Sequence, residues 1–254
     1  MQVLLVDDQI QYASLVAEKL AEHVGNETTL VSDPHEAVRR LATERYDVVV
    51  VDLLYDRFSV DFNRRRLAHL VDPGDAALLI SGLYVLDHLR RSGAVTRPVL
   101  WTSGDENRQL HVKFAFEELG VRSFCSKGSR SIDALVRAVK TAGSDGSYID
   151  PIISTLVPPP DSAPLRQTIL RDPQRRAIWR ALALGHHSRE DIQHATHYSR
   201  GHIGNLISGI YAEDLTLIDP GLPNKVASPV AELIRYAAIN WEFLLDDTVK
   251  ARYP

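Results

Sequence analysis

The stretch that most constrains this chain is YDVVVVDLL at residues 46–54, in which four consecutive valines run into an acid. An uninterrupted β-branched run predicts a strand buried on both faces, as in a parallel sheet covered by helices. Asp52 then stands at the carboxyl end of a central strand, the edge where open α/β sheets place their ligands. Other short apolar runs end in the same manner: residues 3–6 are followed by Asp7 and Asp8, residues 98–101 by Thr102, and residues 121–125, one position on, by Lys127. One parallel sheet would bring all five polar positions to a common edge.

Between these runs the apolar period changes from two to about 3.6. Ala13, Val16, Ala17, Leu20 and Val24 share a helical face, as do Leu83, Leu86 and Leu89, and later Ile132, Leu135, Val136 and Val139. Asp33-Pro34-His35-Glu36 combines an N-cap, a proline at the first helical position and a capping-box glutamate, which predicts a helix to about residue 44. Five strands alternating with five helices predict a doubly wound α/β (βα)5 domain over residues 1–142. Residues 55–81 interrupt the alternation. They hold a short helix carrying Arg64, Arg65 and Arg66, a turn at Asp72-Pro73-Gly74-Asp75 and an apolar run at 76–80.

Residues 143–164, with Pro158-Pro159-Pro160, read as an extended proline-rich linker. From 165 to 254 the pattern is all helical. Ser188 and Ser199 cap two short helices separated by Thr196-His197-Tyr198, a helix-turn-helix arrangement over about 172–212 that would place its last helix in a DNA major groove. A further amphipathic helix is expected over about 229–247, capped by Ser228 and carrying Leu233, Ala237, Trp241 and Leu244. It would pack back on its own domain or pair with a second copy.

Composition narrows the function. A formal net charge of −4 gives no global electrostatic case for nucleic-acid binding, so any such surface must be local. No apolar run approaches the roughly 18 to 20 residues that span a bilayer, and a cytoplasmic protein without membrane contact is expected. The single cysteine, Cys125, excludes disulfide and zinc frameworks. His186, His187, Asp191, His194 and His197 include pairs at helical spacing, but they lack any flanking catalytic pattern and read as surface histidines. No phosphate-binding glycine motif or nucleophile elbow is visible, which argues against an enzyme.

Two adjacent acids facing a third across a sheet edge repel one another unless a cation neutralises them, and oxygen-only ligands favour Mg²⁺ or Mn²⁺. A cation there would let the Asp52 carboxylate approach a phosphoryl group. Thr102 could donate to one phosphoryl oxygen and Lys127 pair with another.

This set of residues resembles that of CheY-like response-regulator receiver domains. The resemblance implies that Asp7, Asp8, Asp52 and the Leu54 main-chain carbonyl hold Mg²⁺, and that Asp52 accepts phosphate from a sensor histidine kinase. It further implies that Thr102 and Lys127 read the phosphoryl group and that Phe124 is the switch aromatic, turning inward as Thr102 moves. In that family only a few residues separate the acceptor from the glycine opening the next helix, whereas here residues 55–81 intervene between Asp52 and Gly82. That segment borders the phosphorylation site and could select a kinase, slow hydrolysis or contact the second domain; by charge alone it reads as a solvated basic loop.

Residues 171–215 resemble the LuxR/NarL-type output domain, which implies DNA contacts from Ser199, Arg200, His202 and Asn205 and a homodimer on activation. The exposed face of that helix carries no lysine, and Gly201, Gly204 and Gly209 each disfavour a helix by about 1 kcal/mol relative to alanine. Arg166, Arg171, Arg175, Arg176, Arg180 and Arg189 could contact phosphates, or form solvated helix faces. Three readings therefore stand: a DNA-binding response regulator controlling transcription, a phosphorylation-dependent adaptor whose second domain binds protein, and an unphosphorylated regulator in which the inserted loop blocks Asp52.

Overall fold

A computed structural model describes residues 1–24, 28–67, 79–128, 131–219, 221–223 and 226–254. The expected turn at residues 72–75 lies outside them, as does most of the apolar run at 76–80. The chain divides into two compact units. The first comprises residues 1–59 and 80–158, and the second 60–79 and 159–254.

The first unit is built on strands β1 (Val3–Val6), β2 (Thr28–Val31), β3 (Val48–Asp52), β4 (Arg97–Thr102) and β5 (Ser123–Ser126), all parallel in the order β2-β1-β3-β4-β5. Helices α1 (Ile10–Val24), α2 (Pro34–Thr43), α4 (Leu83–Ser92), α5 (Gln109–Glu117) and α6 (Ser131–Gly143) alternate with them, while α3 (Asp56–Leu67) occupies the extra segment. Val48 to Val51 are wholly buried, as a strand covered on both faces requires. A core of Val3, Leu5, Val16, Leu20, Val50, Trp101, Leu135 and Val139 joins the sheet to α1 and α6.

The N-terminus of α2 follows its sequence signal in part. Asp33 accepts from the His35 amide at 2.8 Å and Pro34 occupies the first turn. Glu36, however, pairs with Arg40 at 3.0 Å, so the i,i+4 ion pair takes the carboxylate expected to close a capping box. The early part of the expected linker is also not a free spacer. Tyr148 O accepts from Phe124 N at 2.7 Å, Ile149 makes a parallel bridge to Phe124, and buried Asp150 accepts from Ser126 N at 3.3 Å.

In the second unit α7 (Pro173–Ala183), α8 (Arg189–Thr196) and α9 (Arg200–Gly209) form the helix-turn-helix core. Ser188 caps α8 and Ser199 caps α9, each accepting an amide in the first turn, and His197 takes the left-handed conformation that ends α8. A π-helical turn, Ile210–Leu215, and the short α10 (Thr216–Ile218) follow. The helix expected over 229–247 is divided: α11 (Pro229–Ile239) stops at Asn240, and α12 (Trp241–Leu245) and α13 (Asp247–Arg252) continue separately. Asn240 Nδ2 turns back to Tyr236 O at 3.0 Å, and Asp246 caps α13. Ser228 makes no side-chain cap; its carbonyl, not its hydroxyl, accepts from Ala231 N at 3.1 Å.

His111 on α5 is wholly buried, and burial pushes its imidazole down to about 3, with Arg108 adding to the effect. Because its folded-state pKa is depressed, its contribution to stability is full above its ordinary 6.5 and is lost as pH falls towards 3. Replacing it with leucine should therefore flatten the acid limb of a denaturation-midpoint profile over that range, removing a slope of about 1.4 kcal/mol per pH unit. An unchanged acid limb would contradict this.

Candidate functional site

Strand register assembles the site. Val6 is level with Val51, so Asp7 follows β1 where Asp52 closes β3. Asp52 is level with Trp101 and Thr102 with Ser126, which places Thr102 and Lys127 one step beyond. The order β2-β1-β3 reverses between β1 and β3, so the acids flank the topological switch point of the sheet. Carboxylate oxygens of Asp7, Asp8 and Asp52 all lie within 4.8 Å of one another, the one such group of potential metal ligands among the described residues. The histidine-rich segment at 186–197 forms none.

Lys127 reaches into this cluster. Its Nζ stands 2.7 Å from Asp7 Oδ2 and 2.8 Å from Asp52 Oδ2, while the other Asp52 oxygen accepts from Leu53 N at 2.7 Å. Asp7 and Asp52 are 0% and 4% exposed. Burial pushes the Asp52 carboxyl up and the Asp7 charge adds to this, with Lys127 opposing both. For the Lys127 ammonium the two carboxylates outweigh burial, and its pKa is raised. Three clustered carboxylates with oxygen donors only suit a hard divalent cation, which would add the positive charge that one lysine does not supply.

Residues that sequence reasoning passed over complete the site. The Trp101 indole donates to Ser126 O at 3.2 Å, stacks on Tyr12 and lies under Lys127 Nζ at 4.9 Å, so it forms the apolar floor of the lysine. Tyr55 is buried beside the cluster. Burial first, then the charges of Asp52, Asp7 and Asp8, raise its phenol well above the ordinary range. Gly82 packs on the backbone of Asp52. Its amide donates to Leu53 O at 2.8 Å, and a Cβ at this position would fall 2.2 Å from Asp52 O. Leu54, the expected main-chain ligand, forms an antiparallel bridge with Ser81. Thr102 is buried at the strand end, and Phe124 is wholly buried at 6.3 Å from Phe116, so it already lies inward in this conformation.

The helical unit places Ser199, Arg200 and Asn205 at exposed positions on α9, with His202 half-buried. Ser199 accepts from His202 N at 3.4 Å, and Arg200 lies 3.7 Å from Glu190. Most of the arginines considered for phosphate contact are engaged within the unit. Arg175 pairs with buried Asp214 at 2.7 Å and with Glu213 at 2.6 Å; Arg171 reaches Glu213 at 2.9 Å. Arg176 donates to Leu170 O and Pro254 O, and Arg180 to Tyr253 O. They are neither phosphate-facing nor merely solvated, because the π-helical turn and the chain's last residues supply acceptors that no local pattern reveals. Arg166, Arg189 and Arg200 remain exposed. Nothing lies within 4 Å of a Cβ added at Gly201 or Gly204, whereas Gly209 faces Arg175.

The chain matches no protein-family model and no curated protein. Among solved structures it is similar to RcsB in two dimers bound to two parallel DNAs, at 14% identity and a TM-score of 0.56, covering 96% of this chain and 98% of that one. It is similar also to RcsB from Salmonella enterica serovar Typhimurium bound to promoter rprA with the phosphomimetic BeF3⁻, at 16% identity and a TM-score of 0.54, covering 94% and 98%. A further Salmonella typhimurium RcsB response-regulator structure gives 16% identity, a TM-score of 0.52, and 93% and 98% coverage. The shared property is the fold: a receiver-type α/β domain followed by a helix-turn-helix domain.

Two glycines should respond in opposite senses to alanine. Gly82→Ala forces a methyl group against the Asp52 carbonyl and should lower stability by about 1–3 kcal/mol in urea titration. Gly201→Ala enters open space on a helix and should raise it by up to about 1 kcal/mol. Equal shifts at both positions would contradict the assigned packing.

Proposed function

We propose that this chain is a response regulator in which Asp52 accepts a phosphoryl group from a sensor histidine kinase and the helix-turn-helix unit binds DNA as a dimer to control transcription. The observation that carries the reading is the single ammonium of Lys127 bridging Asp7 and Asp52 at the switch point of a parallel sheet. In the transfer, a carboxylate oxygen of Asp52 attacks phosphorus, the phosphorus–nitrogen bond to the kinase histidine breaks, and an acyl phosphate forms. Mg²⁺, held by Asp7, Asp8, Asp52 and the Leu54 carbonyl, would supply charge neutralisation for the approach of two anions.

The protein's own residues divide the remaining work. The Lys127 ammonium, free to pivot over the Trp101 face, moves from the carboxylate to a phosphoryl oxygen, and the Thr102 hydroxyl donates to another. A shift of Thr102 acts on the packing around Phe124 and, through Phe124 N and O, on Tyr148 and Asp150 where the chain leaves the sheet. The DNA half of the reading draws support from α8 and α9, from the exposed Arg166, Arg189 and Arg200, and from the DNA-bound RcsB structures that share the fold. Among the described residues no helix is long and apolar enough to cross a membrane.

Purified protein with Mg²⁺ and a small phosphodonor should form a phosphoprotein that alkali and hydroxylamine both discharge, as an acyl phosphate requires, and Asp52→Asn should form none. In the same preparation, with beryllofluoride as phosphoryl mimic, genomic DNA fragments sharing a two-fold-related sequence should be enriched, with affinity falling as salt rises. Arg200→Ala should weaken that binding by about tenfold or more. Phosphorylation without enrichment of any sequence would remove the DNA half and assign the helical unit to a protein partner.

A further inference from the structure

α3 follows directly on the strand that ends in Asp52, and the junction between them is anchored from the Gly82 side. At its base, Gly82 N bonds Leu53 O at 2.8 Å, Ser81 bridges Leu54, and the absent Cβ of Gly82 leaves the backbone in contact with Asp52 O. Residues 52–54 are thus held from the Gly82 side, and α3 begins two residues on, at Asp56. Beyond Ser59 the chain belongs to the second unit.

Within that unit α3 is docked rather than solvated. Phe62, 5% exposed, stacks on Trp241 of α12 with centroids 5.9 Å apart and planes 9° apart. Four residues on, and so on the same helical face, the Arg66 guanidinium lies 4.7 Å from the centre of the same indole. Its Nη1 donates to Ala183 O at 3.0 Å, capping the end of α7, while Asn63 holds its other nitrogens at 2.8 and 3.1 Å. Leu79 O accepts from Asp247 N at 3.0 Å at the start of α13. Burial lowers the Arg66 pKa, with Glu242 opposing, which is inconsistent with a solvated basic loop.

Building on the phosphoacceptor reading, we propose that α3 is a relay: joined through residues 53–55 to the acceptor backbone that Gly82 clamps, and docked through Phe62 on α12 and Arg66 on α7, it transmits the phosphorylation state of Asp52 to the helical unit. α7 packs on α8 and α9, so a change in how α3 seats reaches the helix-turn-helix through one helix. The linker after α6 is the competing route, because it leaves directly from Phe124.

Amide hydrogen exchange on the full chain, with and without beryllofluoride and Mg²⁺, separates the two. In the unaltered protein, exchange should slow around residues 102–128 and change by about fivefold or more over 241–253. In Phe62→Ala/Arg66→Ala the first response should persist and the second should be lost. Arg66→Gln, which leaves the Phe62–Trp241 stack in place, should reduce the second response, and Phe62→Tyr should retain it; both serve if the double variant does not fold. A full response over 241–253 in the Arg66→Gln and double variants would overturn the relay and assign the coupling to the linker. A receiver response with none over 241–253 in the unaltered protein would overturn the relay alone. No response at either place would remove the phosphoacceptor reading and the relay with it.

Discussion

Two carboxylates held out of water against one ammonium are the constraint on which this structure turns. The pair of Asp7 and Asp52 with Lys127 leaves a net negative charge in a place where desolvation is costly, and only part of that cost is offset by bonds of 2.7 and 2.8 Å. The arrangement is poised rather than settled: an added cation, a proton or a change of the acid into an ester relieves it. Everything nearby keeps the poise. The parallel register sets the three residues level, Trp101 excludes water beneath the lysine, and the Leu53 amide holds the second Asp52 oxygen.

The strand ends and the polar residues that close them were legible because both depend on neighbours in sequence. A run of valines buries itself whatever its distant partners, and a parallel sheet turns five separate strand ends into one edge. The α2 start and the two serine caps of the helix-turn-helix are likewise set within a single turn of chain. Gly82 is a different case. Its place before a helix was visible, but the reason for a glycine, contact with the Asp52 carbonyl, exists only once α4 folds against β3.

What was illegible depended on partners far along the chain. Arg66 reads as a solvated charge until Trp241 and the Ala183 carbonyl are brought to it, and Arg175, Arg176 and Arg180 read as a basic surface until the π-helical turn and the C-terminal carbonyls take them up. The break at Asn240 was hidden for the same reason. The apolar period runs through residues 229–245 without a flaw, and the break appears only where the Asn240 side chain turns back to the Tyr236 carbonyl and α12 begins anew at Trp241.

The second unit is not a contiguous piece of sequence, since it takes residues 60–79 from within the first. Such a unit cannot be exchanged between proteins by a single cut near Pro158, because the graft would leave Trp241 without Phe62 and α7 without its arginine cap. The same interleaving orders synthesis. Ala183 follows Arg66 by 117 residues, so on the ribosome the early helix waits on the order of ten seconds for its seat. Phe62 waits longer still, because its docking surface is complete only when Trp241 has been made.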